Sequence, residues 1–438
     1  MPFKVEFGNE RLITPTGLGI AGMLLQKTQL KERVDVIKLK DMQRPQLQNS
    51  DIIVPYIGLL CQGKSNFECI NEMHDDADFF TYALGINRLP SDARLRQRMD
   101  QLGNRLKSII AQENVRLLNS VNTELTPCFE NYIPLDVDVS PFDNSNTKKE
   151  GVSWTYKKFD GFAPIFAYLG EEGYLIHSEL RAGSTHCQYG TADFLKETIH
   201  LSKQLTNKRL LLRMDSGNDS KDNLAVCGAK ETSCDFLIKR NLRKENNRTW
   251  QVIAEENSST VCTRPRIGKR VLTGSVYWRV DGCEEKVRVI YKVTERTSLA
   301  NGQLLMIPEI SVETYWTSLT CSETTAIQLY HAHGTSEQFH SEIKTDMDLE
   351  RFPSKYFTTN QLVLQLAMIA YNILRIIGQT SLKVNPSEKV QRKRLKTVIK
   401  NFITIAARIV THSRQRYIKL GRSNHWRYCF KHVYDALL

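Results

Sequence analysis

At 438 residues with 41% hydrophobic side chains, the chain exceeds one ordinary domain and can bury a substantial core, which argues against disorder and for two or three domains. A formal net charge of +12 selects polyanionic partners, nucleic acid or an anionic membrane surface, without choosing between them. The ten cysteines, Cys61, Cys69, Cys187, Cys227, Cys234 and Cys262 among them, form no Cys-x-x-Cys pair, as expected for buried thiols of a reducing cytoplasm. Cys227 and Cys234, with six residues between them, have the wrong spacing and no partner pair for a zinc site.

Glu6 and Glu10 precede a short apolar stretch broken by Pro15, which is not the pattern of an export signal. Up to about Pro127 the apolar spacing is helical, as in residues 17–30 and 51–60. Near Leu89-Pro90-Ser91, Ser91 can cap a helix bearing Arg94, Arg96 and Arg98; it suits a DNA-contacting helix and an ordinary charged surface equally.

After Asn131 the period changes to two. Leu135, Val137 and Val139 alternate with Asp136, Asp138 and Ser140, the pattern of a half-buried strand with two aspartates on one face. Residues 162–169 and 174–181 read as two more strands, joined by a hairpin through Glu171-Glu172-Gly173. A helix over 191–205, an apolar strand over 210–214 ending in Asp215-Ser216-Gly217, a helix near 220–229 and a strand over 235–239 follow. The order βββαβαβ is that of the RNase H-like fold, a mixed sheet flanked by helices.

Residues 249–319 turn β-rich, with candidate strands at 271–280, 286–293 and 304–317, and read as an insertion before the helix that completes the sheet. The most apolar later stretch, 362–377, is interrupted by Gln365, Asn372 and Arg375 and is shorter than the roughly 20 residues of a bilayer span, so it reads as a buried helix. From Lys383 onward fourteen Lys and Arg face only Glu388 and Asp435, an excess equal to the charge of the whole chain. With Tyr417, His425, Trp426 and Tyr428 interspersed, this tail is either a phosphate-binding face or a solvated helical surface. The expected organisation is a helical N-terminal region over 1–130, a first part of the core over 131–245, a β-rich insertion over 246–320, core completion over 321–382 and a basic helical region over 383–438.

Asp138 and Asp215 fall where core strands should end, and carboxylates packed together raise one another's pKa unless a cation neutralises them. Hard oxygen ligands suit Mg²⁺ or Mn²⁺. A third ligand should come from the closing helix, where Glu337 and Glu342 are available. Thr335 and Gln338 form a capping-box pattern, so a helix is expected to start just before Glu337 and run through Lys344. Glu337 and Lys344, seven residues apart, then share a face from which Glu342 points away.

These residues resemble the DDE transposases of bacterial insertion sequences that carry a β-strand insertion before the last catalytic residue. Their signature is Tyr, two residues, Arg, three residues, Glu, six residues, Lys; this chain has Tyr330, His333, Glu337 and Lys344 at that spacing, with His in place of Arg. Asp138-Val139-Ser140 is similar to the family's first motif and Arg213-Met214-Asp215-Ser216-Gly217 to its second. The likeness runs from Thr14-Pro15-Thr16-Gly17-Leu18 to Ala370-Tyr371-Asn372.

The resemblance implies catalysis by Asp138, Asp215 and Glu337 through two Mg²⁺ or Mn²⁺ ions, with Tyr330, His333 and Lys344 on DNA. A neutral imidazole at 333 would be a weaker phosphate partner than a guanidinium. The implied partner is double-stranded DNA, both terminal inverted repeats and target, handled by a homodimer at the bacterial nucleoid in the cytoplasm, with no membrane. Trp250, Trp278 and Trp316 in the insertion are candidates to hold a base displaced from the duplex. Two other readings share these residues: a non-catalytic, transposase-derived DNA-binding protein, and an RNase H-like nuclease or resolvase without strand joining.

Overall fold

The computed structural model describes residues 3–39, 46–228, 234–257, 260–262, 268–281, 283, 285–299, 301–384 and 390–438. The N-terminal part is helical apart from a short strand β1 (Leu12–Ile13), and its helices are α1 (Leu18–Gln26), α2 (Leu30–Asp35), α3 (Ser50–Leu60), α4 (Ala77–Leu84), α5 (Asp92–Leu102) and α6 (Lys107–Ser120). The α5 start is as expected, with Ser91 Oγ accepting from the Arg94 N–H at 3.3 Å. Its arginines part company: Arg94 and Arg96 are exposed, whereas Arg98 is buried and donates to Asn49 Oδ1 at 2.8 Å.

The core begins with β2 (Tyr132–Val139), followed by a small sheet of β3 (Phe142–Asp143), β4 (Ser153–Trp154) and β5 (Asp160–Phe162). Then come β6 (Ile165–Leu169), β7 (Tyr174–Glu179), α7 (Thr191–Lys203), β8 (Arg209–Met214), α8 (Lys221–Gly228) and β9 (Cys234–Lys239). The sheet order is β7-β6-β2-β8-β9; β2 runs antiparallel to β6 and parallel to β8, and β8 parallel to β9. Two hairpin-linked strands on one side of β2 and two helix-linked parallel strands on the other make this the expected RNase H-like sheet. One detail differs. β2 is central rather than half-buried, so its Asp136 faces a covered layer and is only 3% exposed.

The β-rich segment does not close on itself. After α9 (Asn247–Asn257), the strands β10 (Thr260–Cys262), β11 (Lys269–Trp278), β12 (Val287–Ser298) and β13 (Leu304–Thr317) continue the core sheet, β13 pairing antiparallel with β9. Helix α9 was not expected there. The helical stretch that returns to the core runs as α10 (Glu323–Ala332), a tight turn over His333–Thr335, α11 (Ser336–Ser341) and a π-helical turn over Glu342–Asp346. Its cap is Ser322, which accepts from the Thr325 N–H, while Thr335 sits inside the stretch with helical angles and caps nothing; the expected capping box is not formed.

Helix α12 (Phe357–Val384) is the one described helix long and apolar enough to cross a membrane, and its most apolar window is wholly buried inside the fold. Its polar interruptions have a local cause. Asn372 Oδ1 accepts from Leu175 N–H at 3.0 Å, Asn372 Nδ2 donates to Leu175 O at 2.7 Å and Gln361 Oε1 accepts from Leu180 N–H at 2.7 Å. Side chains of the helix thus satisfy backbone groups of and beside β7, the outer strand of the sheet, which would otherwise be left open.

The tail departs from the helical expectation. Between α13 (Leu395–Val398) and α14 (Arg427–Leu437) lies a hairpin of β14 (Ala407–His412) and β15 (Gln415–Leu420), which recruits β1 as a third strand. Ser413 and Arg414 both take positive φ, the geometry of a tight two-residue hairpin turn. The N-terminal Thr16-Gly17 packs on this region: a Cβ on Gly17 would lie 1.8 Å from Phe402 O.

Candidate active site

The parallel register sets Val137 opposite Met214, so Asp138 and Asp215 stand together where the two strands run out. Asp138 Oδ1 accepts from Val139 N–H at 2.7 Å, and Oδ2 lies 3.2 Å from His340 Nε2. Burial pushes this carboxyl up, but the hydrogen bond and charge of His340, then His333 and the Val139 N–H, hold it below the ordinary range. Asp215 goes the other way. Burial and the charge of Asp138 raise it, more than Asn218, His333 and the Gly217 N–H lower it. Its Oδ1 also caps the turn that follows, accepting from Asn218 Nδ2 at 2.9 Å and Gly217 N–H at 3.2 Å.

Asp136, two residues before Asp138, is occupied elsewhere. Arg213 grips it with Nε at 2.6 Å and Nη2 at 2.7 Å, and His333 Nδ1 sits 2.8 Å from Oδ1. Burial opposes the charge, yet Arg213 and His333 win and keep the carboxyl low. His333 is in turn raised above the ordinary histidine value: burial lowers it, and Asp136 and Asp138 more than compensate. The structure places His333, expected on DNA, inside the fold rather than at the surface. Its imidazole is buried, with Nδ1 held on Asp136.

Of the other expected DNA contacts, Tyr330 is half-buried and close enough to Asp215 and Asp138 for both to push its phenol up, after burial itself. Lys344 donates to Pro141 O at 2.6 Å, so it reaches the end of β2 although the π turn breaks the simple seven-residue count. Glu337 is exposed, one helical turn from His333 and another from His340. Glu342 points away, as expected, but not into solvent. It is fully buried, ion-paired to Arg375 Nη2, with Leu395 N–H at 3.2 Å and the Tyr371 hydroxyl at 3.4 Å.

Sequence reasoning missed His340, whose only signal was its place three residues after Glu337. Its ring bridges Tyr168 OH, 3.1 Å from Nδ1, and Asp138 Oδ2, 3.2 Å from Nε2, and so fixes the orientation of that carboxylate. The three tryptophans expected on DNA are spent on packing. Trp250 and Trp316 are buried, Trp316 Nε1 donates to Asp219 at 2.8 Å, and the Arg240 guanidinium lies 4.5 Å from the centre of Trp278 and 5.1 Å from that of Trp316. Cys227 and Cys234 are buried, and burial pushes both thiols up.

Among the described residues no three His, Cys, Asp or Glu side chains are already gathered closely enough to hold a metal ion. Asp138 and Asp215 supply two hard oxygen donors whose mutual repulsion a divalent cation would relieve.

Residues 2–438 match the family described as Transposase DDE domain group 1. The chain belongs to that family. No curated protein matches it in sequence. Among solved structures, the piggyBac transposase synaptic complex with hairpin DNA, determined by cryo-electron microscopy, is similar at 11% identity and a TM-score of 0.42, over 89% of this chain and 78% of that one.

Proposed function

We propose that this member of the DDE transposase family cuts DNA at transposon ends and joins the freed strand to target DNA, using Asp138, Asp215 and Glu337 as carboxylate ligands of Mg²⁺ or Mn²⁺. The observation that carries the reading is the pair Asp138 and Asp215 on adjacent parallel strand ends, with the second carboxyl raised by burial and by the charge of the first. When bound, the metal would supply Lewis-acid activation of the attacking and leaving oxygens of a phosphodiester. The rest falls to the chain. His340 orients Asp138, Asn218 and the Gly217 N–H hold Asp215, and Lys344, anchored on Pro141 O, brings an ammonium for phosphate beside them. No protein nucleophile is needed, so Cys187 and the neighbouring serines keep structural roles.

A second reading, a DNA-binding member of the family without catalysis, draws on the exposed position of Glu337. One assay decides. Purified protein, Mg²⁺ and duplex DNA bearing the element's own ends should yield cut ends and joined products; binding without cutting would support the second reading.

A further inference from the structure

Between the first two core strands the chain makes the small sheet β3-β5-β4, and there two large aromatic side chains stand open: Trp154 and Tyr156 are each 61% exposed. Isolated exposed aromatics need no explanation, but these are held in place. The Tyr156 hydroxyl donates to Val139 O at 3.0 Å, one residue past Asp138, and the ring is near enough for the charges of Asp138 and Asp215 to act on its phenol. Thr155 between them is buried, with its N–H and hydroxyl both donating to Phe159 O, at 2.9 and 2.8 Å, so its neighbours are turned outward. Ser153 Oγ, accepting from Ser184 N–H at 2.8 Å, ties the hairpin to the loop after β7.

One cation lies against the Tyr156 ring, and a second lies over the buried Phe142. The exposed Lys157 ammonium lies 5.6 Å from the Tyr156 ring centre, and Lys344, near enough to feel both Lys157 and Asp138, lies 5.2 Å from the Phe142 ring centre. Exposed rings with an ammonium beside one of them match a nucleotide, with phosphate on the lysine and base on a ring. A base can meet such a face only when it is out of the duplex stack. We propose that Trp154, Tyr156 and Lys157 form a seat for an unpaired nucleotide of the DNA strand presented to Asp138 and Asp215. This rests on the proposed function for the strand's identity, but not for its test.

The test is fluorescence anisotropy of the full chain without divalent metal, so that no strand is cut, against a labelled oligothymidylate and a blunt duplex of equal length. Trp154→Ala and Tyr156→Ala should each weaken oligothymidylate binding about 5- to 150-fold, as loss of one base stack does, and leave duplex binding in place. Tyr156→Phe, which keeps the ring and removes the hydrogen bond to Val139 O, should keep most of the affinity; thermal melts of each variant report folding. Unchanged oligothymidylate binding, or equal losses on both DNAs, would overturn the seat and leave only a phosphate contact. Either result is independent of whether Asp138→Asn abolishes cleavage.

Discussion

Glu342 is the other glutamate that the closing helix offers, and its substitution separates architecture from chemistry. Its carboxylate is fully buried against Arg375 and also accepts from Leu395 N–H and the Tyr371 hydroxyl. Glu342→Gln keeps an oxygen for the Leu395 N–H but leaves a buried guanidinium without its counter-charge, a change that costs about 3–5 kcal/mol. Against a typical stability of roughly 5–15 kcal/mol, the variant should be folded but marginal. Adding Arg375→Met removes the orphaned charge and should recover most of the loss. Urea unfolding followed by tryptophan fluorescence reads the stabilities, and nicking of end-bearing DNA in Mg²⁺, at a temperature where the variants are folded, reads the chemistry. A Glu342→Gln protein as stable as wild type yet unable to nick DNA would refute this reasoning and make Glu342 the ligand.

Four further outcomes follow from the same geometry. His333 is raised above its unfolded value, so its stabilising contribution is full below the ordinary histidine pKa of about 6.5 and is lost as pH rises through the raised value; His333→Gln should flatten the alkaline fall in urea midpoint, and an unaltered slope would count against the Asp136 pairing. Asp215 is raised, so its ionised form destabilises the fold at pH above that value; Asp215→Asn should melt higher than wild type without metal and gain nothing from Mg²⁺, and a lower melting temperature would contradict the repulsion. On the tail hairpin, Arg408 and Lys419 are exposed and directly opposite, like charges that a polyanion would relieve; replacing both by Gln should weaken duplex binding and reduce its salt slope by about 0.9 for each phosphate no longer neutralised, while an unchanged slope would move the DNA surface elsewhere. Trp316→Ala should cost about 3–5 kcal/mol in urea unfolding by leaving a cavity in the packed insertion, and a fully stable variant defective only on DNA would restore its expected role there.

The parts of this fold legible in the sequence are those whose cause is local. Leu210, Leu211 and Leu212 must be a buried strand in almost any context, and Leu135, Val137 and Val139 give the strand that ends near Asp138, so the aspartate pair and the sheet order can be read directly. What escapes depends on partners distant in the chain. Nothing near Asp136 shows that Arg213 and His333 will hold it, and nothing near Glu342 shows Arg375. Likewise Thr335 and Gln338 have capping-box spacing but fall inside a stretch already capped by Ser322. The resemblance suggests that tryptophans of the insertion hold a displaced base; the fold packs Trp278 and Trp316 against Arg240 and leaves Trp154 and Tyr156 open, a difference set by tertiary packing. The basic tail reads as helical, whereas pairs such as Ile409 and Ile418, opposite each other on two strands, make part of it a hairpin.

The most direct test of the central claim is cleavage and strand transfer by Asp138→Asn, Asp215→Asn and Glu337→Gln proteins in Mg²⁺, on DNA carrying the element's ends, with duplex binding measured alongside. Each substitution keeps side-chain shape and removes a proposed ligand, so all three should bind DNA and neither cut nor join it. Cleavage at the wild-type rate by any one of them would contradict the assignment of that carboxylate to the metal.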